Sequence, residues 1–488
     1  MVFHSFAFLG FFAAVVAGNY ALRPRLRWAG LLAASLYFYA VSDPRFLVQV
    51  LAATALCFAL GLRIEAAADR GAKKRLLTAG VLLLIGNLIA FKYASFINES
   101  LRALFAAAGA AYPVPMLGVL LPIGISFYTF QLISYLVDIF RGTVKAERHP
   151  GIFALYVLFF PKLIAGPIER AKQLLPQLHA EHRFDYQQVV DGLQLMLWGA
   201  FKKLVVADRL DPVVAQVYDN PHAANGVTTV IGTWLYAFQI YCDFSGYTDM
   251  ALGTAAVLGY KLTQNFNRPY LAISIQDFWK RWHISLTTWL TDYVHTPLSR
   301  QRLVKMKFYH LMLLSVFVTF VVSGFWHGAA WSFVVWGALH GLYAVASVVL
   351  RKPRQAVATR LGLLQRPRLH HAVKVAVTFN LVCFAYIFFR APSLADAAFL
   401  TTRLLTGWPH ALSIGKAFVE AHLSDLVFAG FGILVVAGAE LLQERRDLTA
   451  LFAARPWLRW SLYYAGAASI LLLGAFYDRA ETFIYFRF

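Results

Sequence analysis

The sequence predicts an all-α, polytopic membrane protein, and three observations carry that expectation. Of its 488 residues, 59% are hydrophobic and only 14% are charged, whereas a soluble domain is nearer half apolar and a quarter charged. Apolar runs approaching the ~20 residues that a ~30 Å hydrocarbon core demands of a helix recur along almost the whole chain. No stretch between them is long and polar enough to fold as a separate soluble domain, so residues 1–488 read as one membrane-embedded domain. The same composition excludes disorder, collagen, a coiled coil and a disulfide-stapled secreted module.

The first apolar run, 6–22, has no Lys or Arg ahead of it, and the next run follows within a few residues. It therefore reads as a retained span rather than a cleaved leader. Further spans are expected over 46–62, 76–96, 117–140, 189–206, 227–242, 311–326, 331–350, 372–389 and 460–476. Shorter apolar segments over 28–41, 151–165 and 426–439 suit tilted, interfacial or re-entrant helices, which makes roughly 10 to 13 spans in all.

The formal charge of +20 sits mainly in short loops, where it sets topology; no nucleic-acid partner is expected. Basic loops at 23–27, 63–75 and 141–148 alternate with loops near Asp43 and over 98–116 that carry few cations. The positive-inside rule puts the basic loops in the cytoplasm and the N-terminus outside. On that count 300–307, 351–368 and 444–459 are cytoplasmic, and 391–425 and the C-terminal tail face outward. The three cysteines, Cys57, Cys242 and Cys383, are far apart in sequence and lack metal-ligand spacing, so neither a disulfide framework nor a bound metal is expected.

Ionisable groups at membrane depth are costly and mark function by default. His327, in SGFWHGAAW, lies between two apolar runs with Gly324 and Gly328 beside it. Those glycines permit a backbone break and close approach of a ligand. A histidine there can exchange a proton near neutral pH as a general base; a packed histidine with a backbone partner fits the same pattern. Residues 265–307 are too polar for a simple span and too aromatic for a solvent loop, which suits interfacial or re-entrant helices. If DFWKRWHISLTTW is one helix, Trp279, Trp282, His283 and Leu286 share a face and Asp277, Lys280 and Arg281 lie towards the other. His283 is then a second candidate, with a tryptophan-anchored interfacial helix as the plainer alternative. His340 suits helix packing through a hydrogen bond.

Three further stretches stand out. Within 159–178, Pro161, Gly166 and Pro167 should break a helix inside apolar surroundings. In YCDFSGYTDMALG, Asp243 and Asp249 fall at the end of an expected span, where they can hold a histidine, line a polar cavity or, most simply, cap helices. The chain ends in FIYFRF, an aromatic-rich tail that can dock back towards a reactive centre through Tyr485 or anchor at the interface. No GxSxG, Walker, GxGxxG or HExxH motif occurs.

Together, FPKLIAGPIER, YCDFSGYTDMALG, NFNRPYLAISIQDFWKRWHISLTTWL, SGFWHGAAW and FIYFRF resemble the membrane-bound O-acyltransferase (MBOAT) family, in its bacterial alginate O-acetylase-like branch. The resemblance implies about eleven transmembrane helices with re-entrant or interfacial helices around a tunnel, a catalytic core over 159–350, and an extracytoplasmic tail motif over 478–488. It makes His327 the active-site histidine and His283 the second tunnel histidine. The tail is similar to the C-terminal motif of the small partner peptide of teichoic-acid D-alanylation, which gives Tyr485 a part in acyl relay.

The implied reaction moves acetyl from cytoplasmic acetyl-CoA, a substrate rather than a tightly bound cofactor, across a bacterial inner membrane rich in lipid contacts. The product is an O-acetylated extracytoplasmic polysaccharide, alginate or a similar exopolysaccharide, with peptidoglycan as the alternative. A periplasmic serine-dependent (SGNH-type) acetyltransferase is the expected partner, because this chain lacks a large outer domain to grip a polymer. From the residues alone, a transporter of a lipid-linked sugar or acyl carrier, or a non-catalytic scaffold, is the rival reading.

Overall fold

In the computed structural model, residues 1–301, 306–445 and 455–476 are described, and every regular element among them is helical. In chain order these are α1 (Phe6–Ala21), α2 (Pro24–Ser42), α3 (Leu47–Ala66), α4 (Arg70–Leu88), α5 (Ala94–Ala107), α6 (Ile125–Arg141), α7 (Pro150–Leu158), α8 (Phe160–Leu163), α9 (Ala171–His179) and α10 (Tyr186–Phe201). They continue with α11 (Asp208–Tyr218), α12 (Gly226–Val257), α13 (Ile275–Arg281), α14 (Ile284–Leu290), α15 (Thr296–Arg300), α16 (Phe308–His327), α17 (Trp331–Val349) and α18 (Arg351–Arg360). The last are α19 (Pro367–Arg390), α20 (Leu394–Thr406), α21 (Ala411–Ala421), α22 (Leu423–Gln443) and α23 (Pro456–Leu473). Single π-helical turns over Ile89–Tyr93, Lys202–Ala207 and Thr291–His295 join α4 to α5, α10 to α11 and α14 to α15.

Six helical stretches among the described residues are long and apolar enough to cross a membrane: Pro44–Ala66, Arg70–Ala107, α16, α17, α19 and α22. Helix α1 is apolar but shorter. Local chemistry sets several ends. The Asp69 carboxylate accepts the Ala72 N–H at 2.8 Å and caps α4, and this bond holds its pKa below the ordinary carboxylate value.

Two expected spans are corrected. Residues 117–123 are not helical, and α6 begins only at Ile125, after Pro122 and after Gly124 at φ 74°. Proline and a left-handed glycine together cannot carry an α-helix through that point. The span expected over 227–242 runs on to Val257 as part of the 32-residue α12. Asp243 and Asp249 are thus interior to this helix and do not cap it. The predicted break within 159–178 is present: α7 stops at Leu158, α8 is four residues long with Pro161 in its first turn, and 164–170 is non-helical.

The described chain divides into two units: Met1–Met196 with Ala251–Thr263, and Leu197–Met250 with Gln264–Phe488. In the first, α6 is buried around most of its circumference, its polar Ser126, Thr129, Gln131 and Ser134 included, and packs on α3 and α4. The Tyr135 and Phe153 rings, 4.6 Å apart, join α6 to α7. In the second, α16 and α17 form a tight hairpin. A Cβ on Gly324 would overlap the Phe333 carbonyl oxygen, and one on Gly337 would overlap that of Phe320; only glycine lets the two backbones touch. Cys57, Cys242 and Cys383 are buried free thiols.

Candidate active site

His327 is the last residue of α16. The helix ends there because Gly328 leaves the spiral in an extended conformation, φ −158°, and residues 328–330 turn the chain into α17. The backbone break expected beside the histidine thus falls at Gly328. Gly324 admits the α17 backbone, and Gly328 admits the Phe333 ring. His327 is 3% exposed. Its ring centroid lies 4.9 Å from that of Trp336, 5.0 Å from Trp326 and 5.3 Å from Phe389, all edge-on. Helices α16, α17 and α19 thus build an aromatic wall around one imidazole.

His283 reaches the same aromatic cluster by a route that overturns the single-helix expectation. Helix α13 stops at Arg281, Trp282 is extended, and His283 is left-handed at φ 45°, ψ 52°, immediately before α14. The break sends the two neighbours different ways. Trp282 packs on Phe266 and Phe278, at 5.1 and 5.5 Å. His283, fully buried, meets Phe244 of α12 at 4.8 Å, Trp326 at 5.8 Å and His327 at 6.3 Å.

The residue that holds this break is Asn265, fully buried. Its backbone carbonyl accepts the Ile284 N–H at 2.9 Å, and its side-chain Oδ1 accepts the Ser285 N–H at 3.1 Å. Asn267 N–H adds a bond to the Arg281 carbonyl at 2.9 Å. Residues 265–267 therefore clamp both sides of the kink and satisfy donors at the start of α14. Sequence reasoning missed Asn265; its only signal was its place in the NFNRPY string.

His340 behaves as a packed histidine with a hydrogen bond. Its Nδ1 accepts from Trp279 Nε1–H at 3.2 Å, so in the neutral ring the proton sits on Nε2. The Trp336 ring is 4.9 Å from His340 and 4.9 Å from His327, so one indole separates the two imidazoles.

Asp243 and Asp249 each pair with a lysine. Lys203 Nζ is 2.7 Å from Asp208 and 2.8 Å from Asp243. Lys202 Nζ is 2.6 Å from Asp249 and donates to Ser245 Oγ at 2.9 Å. Both lysines are buried and lie in the π turn Lys202–Ala207, whose extra residue per turn re-aims the backbone. Nothing in the sequence marked them beyond their place at the end of an apolar run. Tyr485 and the tail 478–488 lie outside the described residues, as do Arg302 and Lys305 of the loop 300–307.

Residues 149–362, which contain His283, His327 and His340, match the family model MBOAT, membrane-bound O-acyltransferase family. The chain is 38% identical over 400 residues to the probable alginate O-acetylase AlgI of Azotobacter vinelandii, across 81% of this chain and 76% of that protein. It is 32% identical over 420 residues to the peptidoglycan O-acetyltransferase of Helicobacter pylori, across 80% and 76%. Similarity extends to the teichoic acid D-alanyltransferase of Streptococcus thermophilus, at 27% over 290 residues, 55% of this chain and 68% of that one. A multi-pass helical chain with this match and these relatives is an O-acyltransferase, and it belongs to the membrane-bound O-acyltransferase family, in the branch of the bacterial alginate O-acetylases.

Proposed function

We propose that the protein transfers acetyl from cytoplasmic acetyl-CoA so that an extracytoplasmic polysaccharide, alginate or a similar exopolysaccharide, becomes O-acetylated. The observation that carries this reading is the meeting of His283 and His327, ring centroids 6.3 Å apart, in one buried aromatic cluster. Membership in an acyltransferase family favours chemistry over transport or scaffolding. The name of the Azotobacter relative, at 38% identity, favours an exopolysaccharide; that of the Helicobacter relative, at 32%, supports peptidoglycan as the second reading.

In the proposed reaction neutral His327 accepts the proton of an acceptor hydroxyl. The hydroxyl oxygen forms a bond to the thioester carbonyl carbon, the C–S bond breaks, and coenzyme A leaves as the thiol once the proton is returned. His283 orients the donor or stabilises the oxyanion that develops on the carbonyl oxygen. Tyr485 is the proposed first hydroxyl, and it hands the acetyl group to a periplasmic serine-dependent acetyltransferase. Such a path places the protein in the inner membrane with its basic loops inside. The Arg300–Lys307 edge there attracts the donor's phosphates.

The test is turnover of radiolabelled acetyl-CoA by the purified protein in nanodiscs, with the periplasmic partner added. His327→Ala should lower turnover by about 10²–10⁴-fold, the usual share of a general base. Tyr485→Phe should abolish labelling of the chain itself at normal protein levels. Full turnover by a folded His327→Ala protein would sink the assignment.

A further inference from the structure

Between α1 and α2, within the first unit, lies a cleft of about 360 Å³ that the acyltransferase chemistry does not use. Its walls are small side chains, Ala14 and Gly18 on α1 and Gly30, Ala33 and Ala34 on α2. The Phe11 and Tyr37 rings, stacked 5.9 Å apart, close its far end. Leu22 and Arg27 stand at its mouth. From Leu22 to Phe11 the cleft follows α1 for about 16 Å at 1.5 Å per residue. That is close to one leaflet, half of the ~30 Å hydrocarbon core.

The mouth is cationic. Arg27 lines the cleft, Arg23 and Arg25 just before it are exposed, and these three cations outnumber Asp185, the carboxylate whose field reaches Tyr20 beneath Arg27. Arg27 is pre-placed: its Nε donates to the Leu22 carbonyl at 3.3 Å, its Nη1 donates to the His182 carbonyl, and its guanidinium lies 5.8 Å from the Tyr20 ring centroid. Those two bonds use two of its five N–H donors. Below the arginines the lining contains one buried amide. Asn19 is 4% exposed, and its Oδ1 takes no hydrogen bond among the described residues.

We propose that this cleft is a binding site for one acyl chain of an anionic phospholipid of the cytoplasmic leaflet. The headgroup phosphate sits among Arg23, Arg25 and Arg27, where guanidinium groups pair phosphate oxygens. The glycerol ester level falls at Asn19, whose amide offers a donor and an acceptor in an otherwise apolar wall. The chain lies between the small residues and ends against Phe11 and Tyr37. With the basic loops inside, as the proposed function has them, this loop is on the side where anionic lipids concentrate, and cleft length, charge and polar level all fit the same molecule.

Native mass spectrometry of the full-length protein, released from detergent with dioleoylphosphatidylglycerol and dioleoylphosphatidylcholine at equal concentration, tests this. The wild type should retain the glycerol lipid at least tenfold better than the choline lipid. Ala33→Trp fills the cleft and should lower that retention at least tenfold. Ala14→Trp fills it from the opposite wall and serves if the first variant misfolds. The triple change R23Q, R25Q and R27Q should erase the headgroup preference while leaving weak retention of both lipids. Excess inorganic phosphate should not displace the lipid. Equal retention of the two lipids by the wild type overturns the proposal, as does full retention by both folded tryptophan variants. A lipid-free dimer that Ala33→Trp converts to monomer would assign the cleft to a second copy of the chain instead.

Discussion

Asn265 shows how a neutral, buried side chain sets the position of His283, the second histidine of the proposed site. His283 occupies a left-handed conformation, φ 45°, that non-glycine residues adopt only when their surroundings impose it. The imposing bonds come from Asn265. Removing the Oδ1 acceptor in Asn265→Ala strips a cap from α14 and should cost about 1 kcal/mol of stability. It should also lower kcat for acetyl transfer roughly tenfold with little change in KM. Asn265→Asp keeps an acceptor and should restore most of both, a rescue that loss of folding alone does not predict. Lys203 makes the complementary case. Between Asp208 and Asp243 its ammonium balances buried carboxylates. Lys203→Met should destabilise the protein by about 3–5 kcal/mol, measured as loss of monodisperse protein on heating in detergent. Adding Asp208→Asn and Asp243→Asn should recover most of that loss. The histidines were legible in the sequence because apolar and aromatic neighbours make an imidazole conspicuous. Asn265 and Lys203 were not, since each acts through partners that only folding brings near.

At the scale of elements, the α16–α17 hairpin is the part least able to yield. Adding a methyl at Gly324 or Gly337 drives it into a facing carbonyl. Each alanine substitution should therefore cost about 1–3 kcal/mol, as overpacking does, and lower the thermal midpoint in detergent. Gly438→Ala in α22 meets nothing within 4 Å and should be neutral or slightly stabilising, which separates crowding from helix propensity. Proline and glycine made the break after α7 readable in advance. The length of α12 was not readable, because Asp243 and Asp249 look like an ending until their lysines are known. The π turns were equally silent. One additional residue in a turn leaves no mark in composition or spacing, yet in Lys202–Ala207 it lies where both buried lysines emerge.

For the whole molecule, the class of fold followed from composition together with apolar runs of helix length, because a chain with so few charges has no soluble way to bury its apolar surface. The number of spans did not follow. Short, tilted and broken helices, such as α7 and α8, carry the same hydropathy as crossings without their length. The burial of all three cysteines bears directly on that open count. Cys57 and Cys242 are 0% exposed and Cys383 3%, so a membrane-impermeant maleimide should leave the native protein unlabelled and modify it only after denaturation. An added cysteine in an exposed loop then reports alone. Ala68→Cys, between α3 and α4, should react only when reagent reaches the cytoplasmic face, and Ala111→Cys, between α5 and α6, from outside intact cells. The chain thus comes with a silent thiol background, and its topology can be mapped one position at a time without first removing a single native sulfur.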